Sequence, residues 1–230
     1  ALPILAIAVA QTALLAPVLF EQAMSAQQRA RWLPGFAADE TSHLAWAGAT
    51  VYGPGWQYHR QRGAPVIQRP AATRQGDGWV IAGDAGFVAN ASISGLLVVE
   101  AMSATGIVHV LVPRDTAGCS VREPAANSDT VVKWYHGAGG YMSFDNCRVS
   151  GDHLLQAPAN LQQHWRRGIA LRAAINLGLG RAAFEAAIDY AKLRVQGGRP
   201  IIQHQAIGTK LADIAVQLEA ARNLIWKAAW

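Results

Sequence analysis

At 230 residues the chain has room for one large or two small domains. Half of it (51%) is hydrophobic and only 15% is charged, which excludes a disordered chain and calls for a large buried core. The net charge is +5, but the basic residues, such as Arg29, Arg31, Arg60, Arg62, Arg166, Arg167, Arg194 and Arg199, are scattered. No block of them alternates with aromatics, so no nucleic-acid partner is expected. An excess of Arg does suit an anionic ligand. The two cysteines, Cys119 and Cys147, form neither a metal spacing nor a disulfide framework, and a reducing cytoplasmic location follows as the expectation. The seven histidines show no H-E-x-x-H-like spacing, and no metal is expected.

In chain order, residues 4–20 form an apolar run interrupted by Gln11, Thr12 and Pro17 and followed by Glu21 and Gln22. This reads as a buried helix, not as a signal peptide or a membrane span, and no membrane contact is expected. Ser25 is placed as the N-cap of a next helix and Pro34-Gly35 as its stop. From His43 the pattern changes to strands. Leu44–Ala47 precedes a Gly53-Pro54-Gly55 loop; residues 71–74 and 79–84 flank a Gly76-Asp77-Gly78 turn. Residues 96–100 and 107–112 are β-branched runs separated near Gly106, and residues 141–149 close the region. Many short strands with close turn signals predict an antiparallel β-barrel or sandwich.

A long helix over residues 161–194 comes next. Gly197 and Gly198 break it, and Pro200 blocks its resumption. A second helix starts near His204, with Ile207, Leu211, Ile214, Leu218, Ala221 and Ile225 on one face and Lys210, Asp213, Gln217 and Lys227 opposite. The pair is an αα-hairpin with a basic, Gly-rich, Gln-bearing joint. No G-x-G-x-x-G opens a helix after a strand: Gly53-Pro54-Gly55 is a loop, and Gly137-Ala138-Gly139-Gly140 leads into a strand. Ser120 and Ser143 carry no activation motif.

The wording of the joint adds to this. Tyr190-Ala191-Lys192, Arg194, Gln196, Gly198, Pro200-Ile201, Gln205, Ile207 and Leu211-Ala212-Asp213 stand in an order that resembles the acyl-CoA dehydrogenase family pattern Y-A-x-x-R-x-Q-F-G-x-P-I-x-x-x-Q-x-I-x-x-x-L-A-D. The family's Phe is Gly197 here. Gln28-Arg29, Trp32-Leu33-Pro34, Gly76-Asp77-Gly78, Val112-Pro113-Arg114-Asp115 and Phe144-Asp145 match further segments, so the resemblance covers nearly the whole chain. It implies an α+β fold: an antiparallel β-domain (43–153) between a remnant of an N-terminal helical domain (1–42) and the start of a C-terminal helix bundle (158–230), the last incomplete.

The resemblance also implies a chemistry. It makes the protein an FAD-dependent oxidoreductase that dehydrogenates the α,β bond of an acyl-CoA in fatty acid metabolism, passes electrons to an electron-transfer flavoprotein, and forms a homodimer or tetramer. Arg194 matches the residue that binds the FAD pyrophosphate of the neighbouring subunit, with Gln196 and Gln205 lining the same cofactor. Phe87, Val88 and Ala89 fall where the family runs along the flavin ring, Ala89 replacing a Thr or Ser. Trp46 and Ala47 stand in place of an eroded T-E-P segment. The catalytic residue is unknown: no carboxylate occupies the family pattern near residues 167–174, and Glu185 and Asp189 fall on a solvated face. The alternative is therefore a truncated or divergent, non-catalytic flavin-binding or structural subunit of the same fold.

Overall fold

The computed structural model describes residues 9, 12–48, 69–122, 139–156 and 159–230. The expected Gly53-Pro54-Gly55 loop, Arg60, Arg62, Gly137 and Ala138, the start of the first apolar run and the side chains of Arg166 and Arg167 lie outside that description. The chain divides into two compact units, Ala1–Trp165 and Arg166–Trp230.

The first unit begins with the apolar run. Residues 12–17 are helical and continue into a π-helical turn, Val18–Ala23, with Leu15, Val18, Leu19 and Phe20 out of solvent. Helix α1, Ala26–Ala38, starts with a capping box. Ser25 Oγ accepts from Gln28 N (3.1 Å), and Gln28 Oε1 accepts from Ser25 N (2.9 Å). Pro34-Gly35 does not stop this helix, which runs on to Ala38. An interior proline costs about 3 kcal/mol in an exposed helix. Here the turn around it is held by packing: Phe36 meets Phe20 at 5.0 Å between ring centroids, and Trp32, Leu33 and Phe36 lie on the core.

Among the described residues seven strands follow: β1 His43–Ala47, β2 Ala71–Gln75, β3 Gly78–Val88, β4 Ser94–Ser103, β5 Gly106–Pro113, β6 Cys119–Arg122 and β7 Gly140–Ser150. Their order is β1-β4-β2-β3-β7-β6, with β5 on the free edge of β4. Gly76 (φ +62) opens the two-residue β2–β3 turn, as a type II′ hairpin requires. The α+β class stands, but the strands are not all antiparallel. β1 runs parallel to β4 (Leu44↔Leu96 to Ala47↔Val99), and β2 meets β4 in parallel at Ala71↔Met102. The reason is connectivity: β1 follows a helix, not a hairpin turn, so no tight turn imposes an antiparallel partner.

β4 explains how the layers stack. Leu97, Val99 and Ala101 face an inner core with Ala45, Ala47, Ile81, Val88, Val110, Val112 and Met142. Leu96 and Val98 face the other way, with Leu44, Trp46 and Leu111, onto Leu15, Leu19 and Phe20. A strand covered on both faces loses the apolar–polar alternation, hence the unbroken run 96–99. Gln28 fastens the helical layer by donating to the carbonyls of Asp152 (2.7 Å) and Leu154 (2.9 Å), and Arg31 pairs with Asp152 at 2.6 Å.

The long helix α2, Ala159–Leu193, leads through the second unit to α3, Gln205–Ala229, which starts after His204 as expected. The expected stripe is half-buried at Ile207, Leu211, Leu218, Ala221 and Ile225, whereas Ile214 is exposed. Gly180 lets the helices approach; a Cβ there would lie 3.2 Å from Leu218. The joint is more than a helix break. Val195-Gln196 and Arg199-Pro200 pair as strands β8 and β9 across Gly197 (φ +64) and Gly198 (φ +79). Two consecutive positive φ angles make a type I′ turn, which side chains other than Gly, Asn or Asp rarely enter. Among the described residues no helix is long and apolar enough to cross a membrane.

Candidate cofactor site

The hairpin gathers Arg194, Gln196 and Gln205 within twelve positions, and the structure holds their backbone rigidly. Ile201 N donates to Arg194 O (2.8 Å), closing the loop. The His204 ring lies between the two Gln residues: its Nε2 donates to Gln196 O (2.9 Å), which leaves Nδ1 to accept from Arg199 Nη2 (3.4 Å). A Cβ at Gly197 would sit 3.4 Å from His204 Cε1, so glycine there seats the imidazole closely. All three of these candidate residues are exposed, and no carboxylate pairs with Arg194 among the described residues. Gln205 is the first residue of α3, where unpaired N–H groups and the helix dipole favour an anion. A guanidinium fork and two amides carried on one hairpin and the first residue of a helix are the donor types that a diphosphate takes.

The second group of expected residues belongs to the first unit, at the end of β3. Register shifts between Ile81 and Gly83 and between Asp84 and Gly86 mark bulges, at which Gly83 (φ +108) and Gly86 (φ +70) are left-handed. Phe87 lies edge-on to Tyr141 (5.5 Å), over whose ring the Arg122 guanidinium sits at 4.6 Å, and Gly139 leaves the space the Phe87 ring needs. Val88 and Ala89 are buried, Val88 in the inner core. Trp46 is 3% exposed, its ring 5.5 Å from that of His109, and Ala47 is in the inner core. For Trp46, Ala47, Val88 and Ala89, therefore, the side chains are core, and the backbone is what is left to meet a ligand. Ala89 carries no hydroxyl, so main-chain groups alone remain there.

Asn90 joins these two segments. It is buried, left-handed (φ +63), and donates through Nδ2 to Leu44 O (3.2 Å), setting the end of β3 beside β1. The resemblance put Asn90 within the segment along the flavin ring but gave it no role of its own. The signal was available, since Asn is among the few residues that hold a left-handed conformation readily.

A family model described as acyl-CoA dehydrogenase, C-terminal domain, matches residues 164–230. An acyl-CoA dehydrogenase of Bacillus subtilis is 32% identical over 216 residues, covering 88% of this chain and 52% of its own. The chain belongs to the acyl-CoA dehydrogenase family. It is also similar to a 3-sulfinopropanoyl-CoA desulfinase of Paraburkholderia xenovorans, 34% identical over 172 residues (69% of this chain, 43% of that one). A solved FAD-dependent dehydrogenase superposes with a TM-score of 0.78 at 25% identity, over 99% of this chain and 60% of the other. The chain spans about half the length of the curated relatives it matches.

Within this acyl-CoA dehydrogenase-family chain, the carboxylates of α2 stay on the solvated face expected for them. Glu185 pairs with Arg181 one turn earlier (2.8 Å), both exposed, and Asp189 is exposed. Cys119 and Cys147 are free thiols, and burial pushes Cys147 up to about 11, with the neighbouring Cys119 adding to the effect. Neither is a thiolate at neutral pH, so neither is poised as a nucleophile.

Proposed function

We propose that this chain is part of an FAD-dependent oxidoreductase acting on the α,β bond of an acyl-CoA thioester. The observation that carries the reading is the braced hairpin presenting Arg194, Gln196 and Gln205 at the start of α3. On this reading Arg194 holds the diphosphate of the neighbouring subunit's FAD, with Gln196 and Gln205 lining the same cofactor. The main chain of residues 87–90 and of Trp46-Ala47 orients the ring edge, and the buried side chains beneath keep water away from that side. Bound there, FAD would supply the hydride acceptor for the substrate β-carbon. The proton from the α-carbon needs a carboxylate or equivalent that α2 does not aim at a site, since Glu185 is held by Arg181 in solvent. In line with the same reading we infer an electron-transfer flavoprotein as acceptor, a homodimer or tetramer as the assembly, and a cytoplasmic location suited to two free thiols.

The lack of an aimed carboxylate on α2 favours one alternative, a divergent member that binds flavin without dehydrogenating, and a desulfinase among the relatives is in keeping with it. Adding a series of acyl-CoA thioesters to the purified yellow protein under anaerobic conditions separates the two. Bleaching of the flavin band supports dehydrogenation. Stoichiometric flavin that no thioester reduces supports the alternative, and colourless protein that takes up no FAD sinks both. Arg194→Ala is expected to lower flavin content; unchanged content removes the diphosphate role.

A further inference from the structure

One buried carboxylate has no part in the reading above. Glu100, on β4, is 5% exposed. Continuing the β1–β4 register past Ala47↔Val99 places Gly48 beside it, and His109 of β5 is its cross-strand partner. Arg69, just before β2, donates through Nε to Glu100 Oε1. His109 Nε2 lies 3.9 Å from Glu100 Oε2, and the Trp46 ring rests on the His109 ring. Gly48 is enclosed by this group: a Cβ there would collide with Trp46 Nε1 and lie 2.9 Å from Glu100 Oε2. Four strand segments thus meet on one carboxylate at the point where β1 ends. Among the described residues, Arg69 and His109 are the charged or titratable groups that face it.

Such a cluster is a poor source of stability. Taking the Glu100 carboxylate out of water is costly even with Arg69 beside it, and well-packed apolar residues often do as well or better. What the cluster does is geometric. Arg69 ties the approach to β2, and His109 ties β5, to the residue beside the end of β1, while the indole folded over Gly48 admits one path for the backbone there. Asn90 ties the other end of the same strand, at Leu44, to the end of β3, so β1 is anchored at both ends beside the residues read as facing the flavin.

We propose that Arg69, Glu100 and His109 are positioning residues for the flavin, holding the Trp46–Gly48 end of β1 where the ring needs it; this rests on the FAD reading given above. The test compares FAD affinity of the purified apoprotein, by fluorescence titration, with its melting temperature. Glu100→Gln and Arg69→Gln each leave a half-matched pair and are expected to lower both. The double variant Arg69→Met/Glu100→Leu is expected to recover the melting temperature while FAD affinity stays about tenfold below wild type, with an altered flavin absorption envelope. Wild-type affinity and spectrum in that double variant would reduce the cluster to a structural plug and overturn the proposal. Should the double variant fail to fold, Gly48→Ala, which keeps every charge and displaces the indole, is expected to show the same tenfold loss, and wild-type affinity there overturns it equally. A wild-type protein that takes up no FAD overturns the flavin reading itself, and this proposal with it.

Discussion

The two units bury their apolar residues in different ways. In the β-domain, Leu97, Val99, Val110, Val112 and Met142 are wholly out of solvent, and β4 is covered on both faces. In the helical unit no residue of α3 is buried, and Val216, Leu224 and Trp226 are each more than 60% exposed. One unit is held by contacts distant in sequence, the other by local means: helical hydrogen bonds, a type I′ turn, a histidine clamp and a half-buried stripe. The candidate residues differ in the same way: Arg194, Gln196 and Gln205 are exposed on the hairpin, whereas Trp46, Ala47, Val88 and Ala89 are buried in the β-domain.

Substitutions in the two units should therefore differ in size. Leu97→Ala empties a fully buried position and is expected to cost about 2–5 kcal/mol in urea unfolding. Leu218→Ala removes a half-exposed side chain and is expected to cost below about 2 kcal/mol. Equal losses at the two positions would break the contrast.

Glycines sharpen it next, because two left-handed positions differ only in space. At Gly118 (φ +84) a Cβ collides with Asp145 O, and Gly118→Ala is expected to cost about 1–3 kcal/mol. At Gly197 (φ +64) the nearest atom is 3.4 Å away, and Gly197→Ala is expected to cost about 1 kcal/mol, the conformational term alone. Thermal unfolding of both variants would show whether the hairpin is as loosely packed as its exposure indicates. Ser25→Ala removes one partner of the capping box and is expected to cost about 1 kcal/mol, less than the core cavity and read by the same denaturation.

The smallest effect concerns pH. Burial holds His109 below its ordinary value; Glu100 pulls it up and Arg69 pushes it down. The folded protein therefore binds fewer protons there than the unfolded chain. The associated stability is fully present above about pH 6.5 and is lost as pH falls from there through the lowered folded value. His109→Gln should flatten the pH dependence of the melting temperature in that window. A slope unchanged by the substitution would assign the effect to other groups.

How much of this was legible depended on distance along the chain. The capping box at Ser25, the Gly76 turn, the stripe of α3 and the cluster of Arg194, Gln196 and Gln205 are all spaced within a few turns or one hairpin, so local pattern reveals them. Pro34 misled for the opposite reason: a proline normally ends a helix, but Phe20 and the helical core, not the local backbone, decide the matter here. Trp46, Val88 and Ala89 were named as ligand contacts in sequence order, and only the packing shows that their side chains are core.

The sequence by itself determined the helix–strand–helix succession and the family pattern, and through that pattern the α+β class and Arg194, Gln196 and Gln205 as candidate diphosphate contacts, because periodicity, glycine punctuation and a clustered motif are local properties. The tertiary structure decided the parallel entry of β1, the ties from Gln28 to residues more than 120 positions away, the bond from Asn90 to Leu44 and the burial of Glu100 between Arg69 and His109. Each of those joins groups that no spacing relates. They meet because a sheet brings together strands far apart in the chain, and a buried polar group must take its partner from whatever the fold sets beside it.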